Sequence, residues 1–229
     1  MTDDHADQTV PTPHITILSA LIGSHAYGLA TETSDEDRYG IFLVPNRALL
    51  GIHPITETIA RHDPDLTMHE VGKFVRLAMK ANPTVLDLLF VEAYETLHPA
   101  GQLLVARRSL FISQLVREAF GGYAVAQARK LAARGDTFSS DTRNRTAKHA
   151  RHCFRLMRQG RELLETGTMS LRVPDRAALF ALGELPPAEI VARFEDEYAR
   201  FREVESSLPE RPDLDAINDL LLEIRETWG

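Results

Sequence analysis

The spacing of apolar positions changes character partway along the chain. Ile15-Thr16-Ile17-Leu18-Ser19-Ala20-Leu21-Ile22 is β-branched and apolar and stops at Gly23, which predicts a buried strand. Tyr39 to Val44 is a second short apolar run, closed by Pro45-Asn46. Ile55 to Ile59 predicts a third strand before an acidic turn at Asp63-Pro64-Asp65. Beyond that turn the period becomes helical. Val71, Phe74, Val75, Ala78 and Met79 share one face, His69, Lys73, Arg76 and Lys80 another, and Asn82-Pro83 stops the helix. Thr84 to Phe90 predicts one more helical turn packed on the sheet.

After about residue 100 the strand signals fade. Helices are predicted over roughly 100–118, 121–134, 142–166, 187–206 and 214–227, separated by breaks at Gly121-Gly122, Gly135-Asp136 and Leu208-Pro209. The fold class is therefore α+β, a small mixed sheet with helices followed by an α-helical region. The expected organisation is a flexible arm over 1–13, a first domain over 14–105 and a helical domain over 106–229.

Composition narrows the setting. Cys153 is the only cysteine, so an intrachain disulfide is excluded and a reduced compartment is expected. Met1 to Pro13 is polar and acidic, without the features of a signal peptide, and no apolar run approaches a membrane span, so the expectation is a cytoplasmic protein with no membrane partner. The net charge is −7 but unevenly spread. Residues 101–160 hold 12 Lys and Arg against 3 Asp and Glu, while 184–229 hold 5 against 13. That segregation suits either a basic surface facing phosphates or a helical surface neutralised by the acidic tail.

The candidate chemistry lies between the first two strands. A strand ending in Gly23-Ser24 lets backbone pass close to a ligand, and a short helix starting there would aim free N–H groups and the Ser24 hydroxyl at a phosphate. Asp35 and Asp37 are two residues apart, so on extended chain their carboxylates share a face. Like charges held together call for a cation, and oxygen donors suit Mg²⁺. Asp65 supplies a third carboxylate for a second ion, with Asp63 as its competitor, and two ions fit in-line phosphoryl transfer. Tyr27 could stack on a base or pack beneath the loop. No zinc-finger spacing, P-loop, dinucleotide fingerprint or Gly-x-Ser-x-Gly elbow is present.

Gly23-Ser24 followed by Asp35-Glu36-Asp37 resembles the signature of the DNA polymerase β-like nucleotidyltransferase superfamily. Within it, Gly23 to Ala30, Ser34 to Asp37, Lys73-Phe74, Asn82-Pro83 and the stretch from Arg155 to Gly167 resemble a bacterial and phage subgroup associated with RNA repair. The chain departs from that subgroup where it usually has Arg at the position of His25, and in having Tyr39 directly before Gly40 with Arg38 displaced. The resemblance implies that Asp35 and Asp37 ligate two Mg²⁺ ions, with Mn²⁺ as a substitute, that Asp65 activates the acceptor, and that Gly23 and Ser24 hold the triphosphate of an NTP such as ATP. His152 and Arg155 become substrate contacts on the same grounds.

Two helices complete the expected wall. Lys73, Arg76 and Lys80 recur at helical intervals, with Lys73 nearest the third acid and Lys80 and Asn82 as further nucleotide-binding candidates. Lys148, Arg151, Arg155 and Arg158 form a cationic face, with His152 beside it, opposite Ala147, Ala150, Phe154, Met157 and Leu164. The expected activity is transfer of NMP from an NTP to a hydroxyl, RNA being the expected acceptor. The alternatives are a non-catalytic nucleotide- or RNA-binding module and a transferase acting on a small molecule, such as an antibiotic, or a protein. The NTP and the oligomeric state are left open by the sequence.

Overall fold

The computed structural model describes residues 13–132 and 140–229, and the side chains of 13–131 and 146–229. The predicted arm before Pro13 and the break at Gly135-Asp136 lie outside them. Five strands form one mixed sheet: β1 (Ile15–Leu21), β2 (Arg38–Leu43), β3 (Thr58–His62), β4 (Asp65–Glu70) and β5 (Thr96–Leu97), in the order β3-β4-β2-β1-β5. Only the β2–β4 pairing is parallel. Two four-residue helices, α1 (Gly23–Ala26) and α2 (Asn46–Leu49), follow β1 and β2. The α+β class holds, with α3 (Val71–Ala78), α4 (Pro83–Phe90) and α5 (Pro99–Ala106) against the sheet, a 3₁₀ turn at Arg108–Phe111, and then α6 (Leu115–Ala132), α7 (Ser140–Thr166), α8 (Arg176–Gly183), α9 (Pro187–Arg202) and α10 (Leu214–Trp228).

The structure corrects the sequence reading in five places. The third strand is shifted to Thr58–His62, and a fourth, β4, fills the interval assigned to a turn and the start of a helix. His69 is consequently a strand residue. Strand β4 alternates, Leu66 and Met68 toward one face and Thr67 and His69 toward the other, but its polar members blend into the helical pattern that follows. Glu70 makes the switch abrupt, since its carboxylate accepts the Gly72 N–H at 2.7 Å and caps α3. Two short elements, β5 and α8, are likewise additions.

Gly121-Gly122 does not break a helix, because α6 runs through it. A Cβ at Gly121 would meet Tyr198 Cε2 at 3.2 Å, and one at Gly160 would meet Phe201 Cε2 at 2.9 Å. These glycines admit the aromatic residues of α9 into the junction of α6 and α7, so close packing outweighs the roughly 1 kcal/mol that glycine costs within a helix.

One apolar cluster runs from Ile17, Ile41 and Leu43 on the sheet through Phe74, Leu88 and Phe120 to Phe201 and Ile224, so both halves of the chain share it. The opposite face of the sheet carries only Phe42, Val44 and Met68, with Ile55, Ile59 and Leu66 against them. The last helix returns to the sheet. Arg225 pairs with the buried Glu70 and donates to the Val44 carbonyl at 3.2 Å, while Asn46 donates to the Arg225 carbonyl at 2.9 Å. Among the described residues no helix is long and apolar enough to cross a membrane.

Candidate active site

Strand β1 delivers the chain into the Gly-Ser turn and β2 receives it back. The Ile22 N–H donates to the Asp37 carbonyl at 2.8 Å, closing the loop between them at its base. Gly23 has φ +67°, and a Cβ placed on it would lie 2.5 Å from Asp37 Oδ2. Any side chain there would be strained and would collide with the carboxylate, so glycine is what lets Asp37 lie against the turn. The short helix α1 is stitched by Tyr27 N–H to the Gly23 carbonyl at 3.1 Å and Leu29 N–H to the Ser24 carbonyl at 2.8 Å.

The acids converge through strand register. Arg38 and Leu66 are partners across the parallel β2–β4 pair, so Asp37 and Asp65, each one residue earlier, stand side by side at the same end of the sheet. Asp35 and Asp37 both precede β2, which starts at Arg38, so neither lies in the strand. Asp37 is half-buried, and its carboxyl is pushed above the usual range by burial, then by the charges of Asp65 and Asp35, against the opposing charges of Lys148 and His25. Asp63 sits in the exposed turn between β3 and β4 and has no such effect on Asp37. Of the two candidates, Asp65 is the one that stands level with Asp37.

A hard divalent ion fits this donor set. It is all oxygen, and its central member, Asp37, feels the charges of the two other carboxylates, Asp65 and Asp35. Among the described residues no group of three or more Asp, Glu, His or Cys side chains is arranged to hold a metal ion. Mg²⁺ does not require one, since it commonly uses one or two carboxylates and completes its shell with phosphate oxygens and water.

Several predicted nucleotide contacts are placed elsewhere. Tyr27 is not a stacking platform. It is buried, its hydroxyl donates to Asp87 on α4, and the Arg155 guanidinium lies over its ring at 3.7 Å. Burial raises its phenol far above the ordinary range. Arg155 is not a substrate contact either, because its side chain is only 2% exposed. It donates to Gln159 and, at 3.1 Å, to His152 Nδ1, and lies 3.9 Å from Asp87 Oδ2. His152 thus accepts from a guanidinium, and burial followed by that charge pushes it down to about 3. Breaking such a buried cation–carboxylate arrangement costs about 3–5 kcal/mol.

On α3, Lys73 donates to Thr58 Oγ1 at 2.6 Å, next to His69 Nδ1 at 3.0 Å from the same hydroxyl. That position is four strand residues from Asp65, about 13 Å along β4. Asn82 caps α4 through Val85 N–H at 3.2 Å and donates to the Tyr123 hydroxyl at 2.9 Å, so its amide serves the fold. Lys80 is exposed just beyond the end of α3.

The cationic face of α7 also divides. Arg158 donates to the Ser170 and Arg172 carbonyls at 2.8 and 3.0 Å, Arg151 stacks on Phe180 at 4.4 Å, and Arg155 is buried. Of the four cations, Lys148 is the one whose charge reaches Asp37. The sequence placed Lys148 on the right face without singling it out. It missed Asp87, whose signal was a lone carboxylate within Thr84 to Phe90. It also missed residues 172–176, where Arg172 packs on Gly28, Val173 N–H donates to the Tyr27 carbonyl at 3.0 Å and Arg176 donates to the Ala30 carbonyl at 3.2 Å.

No curated protein and no solved structure matches the chain. Residues 4–181 match the model of the RlaP family, described as an RNA repair pathway DNA polymerase beta family. That match covers most of the chain and includes the Gly-Ser turn, all three carboxylates and α7. The chain belongs to the RNA repair pathway DNA polymerase beta family, and so stands among polymerase β-like nucleotidyltransferases.

Proposed function

We propose that the chain transfers a nucleoside monophosphate from an NTP to a hydroxyl of RNA, releasing pyrophosphate, in a reaction that depends on Mg²⁺. The observation that carries this reading is the meeting of Asp37 and Asp65 at the same end of β2 and β4, beside Gly23 and within reach of the Lys148 charge.

In this reading Asp35 and Asp37 hold the metal, with Asp65 completing a second position on the acceptor side. Mg²⁺ bound there supplies charge neutralisation for the phosphates and a lowered pKa for the attacking hydroxyl. The Gly23-Ser24 turn holds the triphosphate. Lys148 contributes positive charge from α7. The acceptor oxygen forms a new bond to the α-phosphorus, and the bond from that phosphorus to the oxygen bridging to the β-phosphate breaks. Pyrophosphate leaves with the bonding pair, and Asp65 takes the acceptor's proton and returns it to water.

An anionic acceptor suits the surroundings better than a cationic antibiotic. The loop between the Gly-Ser turn and the carboxylates is flanked by Arg172 and Arg176, both exposed. The reading is tested by incubating the protein with each of four α-labelled NTPs, Mg²⁺ and RNAs of differing ends. Label in RNA with stoichiometric pyrophosphate supports it, and metal-dependent NTP binding without transfer on the whole panel favours a binding module.

A further inference from the structure

The stripe of α7 that faces the sheet half is polar. Lys148, His152, Arg155 and Gln159 follow the intervals of a single helix face, and they grade from exposed at Lys148 to fully buried at Gln159. Arg155 and Lys148 are seven residues apart, two turns or about 10 Å along the axis. Where Arg155 docks therefore sets where Lys148 is presented.

Arg155 docks on Tyr27. The ring of Tyr27 lies under the guanidinium, its hydroxyl is held by Asp87, and Asp87 in turn lies 3.9 Å from Arg155. Tyr27 is also the residue that ends α1, so its backbone is continuous with Gly23-Ser24 and its carbonyl accepts the Val173 N–H. Two elements remote in sequence, α4 and α7, thus grip the Tyr27 side chain at the foot of the Gly-Ser turn, while Val173 holds its backbone. The grip is specific in direction, because a stacked guanidinium and a hydroxyl–carboxylate bond both fix angles, which an apolar contact would not. Asp87 Oδ1 and Gln159 Nε2 are buried without a hydrogen-bond partner among the described residues, an arrangement that an apolar core of the same shape would avoid.

We propose that Tyr27, Asp87 and Arg155 are positioning residues that lock α7 to the Gly-Ser turn and so set where Lys148, two turns before Arg155 on the same face, is presented. None of them touches the substrate. The inference rests on the reading of the site as a nucleotidyl-transfer centre.

Two readouts test it in the full chain. Asp87→Asn and Tyr27→Phe keep the shape of the cluster while weakening its directional bond, and Lys148→Ala removes the group being positioned. The kinetic expectation is a fall in kcat of roughly tenfold to a hundredfold for Asp87→Asn and Tyr27→Phe, with KM for NTP little changed, since a misplacement of about 1 Å suffices for that loss. In the Lys148→Ala background the same changes should cost less than about threefold, because their effect passes through Lys148. The second readout is amide hydrogen exchange, which needs no turnover. Both variants should speed exchange in peptides covering 22–30 and 168–176 and leave α9 unchanged. Additive kinetic losses overturn the inference and leave the transfer reading standing. Unchanged exchange in both peptides overturns it as well. A wild-type protein that transfers nothing, yet whose loop is released in Asp87→Asn, overturns the transfer reading while the lock remains.

Discussion

Asp37 and Asp65 stand level across the parallel strands β2 and β4, and the charge of Asp65, after burial, does most to raise the Asp37 carboxyl. Two elements separated in sequence by a loop, a short helix and a hairpin thereby set like charges side by side. That juxtaposition carries a cost in the absence of a cation, and most of what can be tested about the site follows from it.

Removing the Asp37 charge should stabilise the metal-free fold. A carboxyl whose folded pKa is raised binds its proton more tightly folded than unfolded, so its contribution is present at low pH and lost as pH rises from the ordinary Asp range through the folded value. Asp37→Asn should therefore unfold at higher denaturant than wild type near pH 7, and the difference should vanish near pH 3. Mg²⁺ should raise the midpoint of wild type and leave that of the variant nearly unchanged, as thermal or urea melts with and without the ion would record.

His152 predicts the opposite slope. Held neutral by burial and by Arg155, with its pKa pushed down to about 3, it opposes folding once the unfolded chain binds a proton. Its contribution is complete above about pH 6.5 and is lost progressively as pH falls toward 3. Between about pH 7 and pH 5 the loss amounts to about 2 kcal/mol. Urea titrations at the two pH values measure it, and His152→Gln should remove most of the dependence.

Gly23→Ala should damage fold and activity together. The added methyl meets Asp37 Oδ2, and φ of +67° is strained for any L side chain. A loss of about 1–2 kcal/mol in unfolding free energy is expected, with kcat reduced on the order of a hundredfold. Gly122→Ala, where nothing lies within 4 Å, serves as the control and should be neutral or slightly stabilising.

The two lysines should separate. Lys148, whose charge reaches Asp37, should lower kcat about a hundredfold when changed to alanine, with KM for NTP little changed, and its effect should shrink with added salt. Lys73, held by Thr58 beside His69, should leave both kcat and KM within about twofold on the same change. Initial-rate measurements over a range of NTP and salt concentrations distinguish them.

What could be read in the sequence was what local pattern carries. The β-branched run before Gly23, the apolar run at Tyr39 to Val44, the helical stripe from Val71 and the cap at Asn82-Pro83 each signal themselves within a few residues, and the Gly-Ser and Asp-x-Asp spacing resembled the family that the match identifies. Strand β4 was illegible because its pattern is short and half polar, and its identity depends on pairing with β2 and β3 on either side. Tyr27 and Arg155 were misplaced for a related reason. An aromatic residue near a phosphate loop and a cation on a basic helix look the same whether they meet a ligand or one another. Only the packing of α7 on α4 and the Gly-Ser turn reveals that they are partners.

The most direct test of the central claim is labelled NMP transfer by the double variant Asp35→Asn with Asp37→Asn, measured beside wild type with Mg²⁺ and Mn²⁺ and with circular dichroism to show that both are folded. Transfer should fall by about 10³-fold or more while the fold survives. A folded double variant that transfers NMP at the wild-type rate would contradict the account.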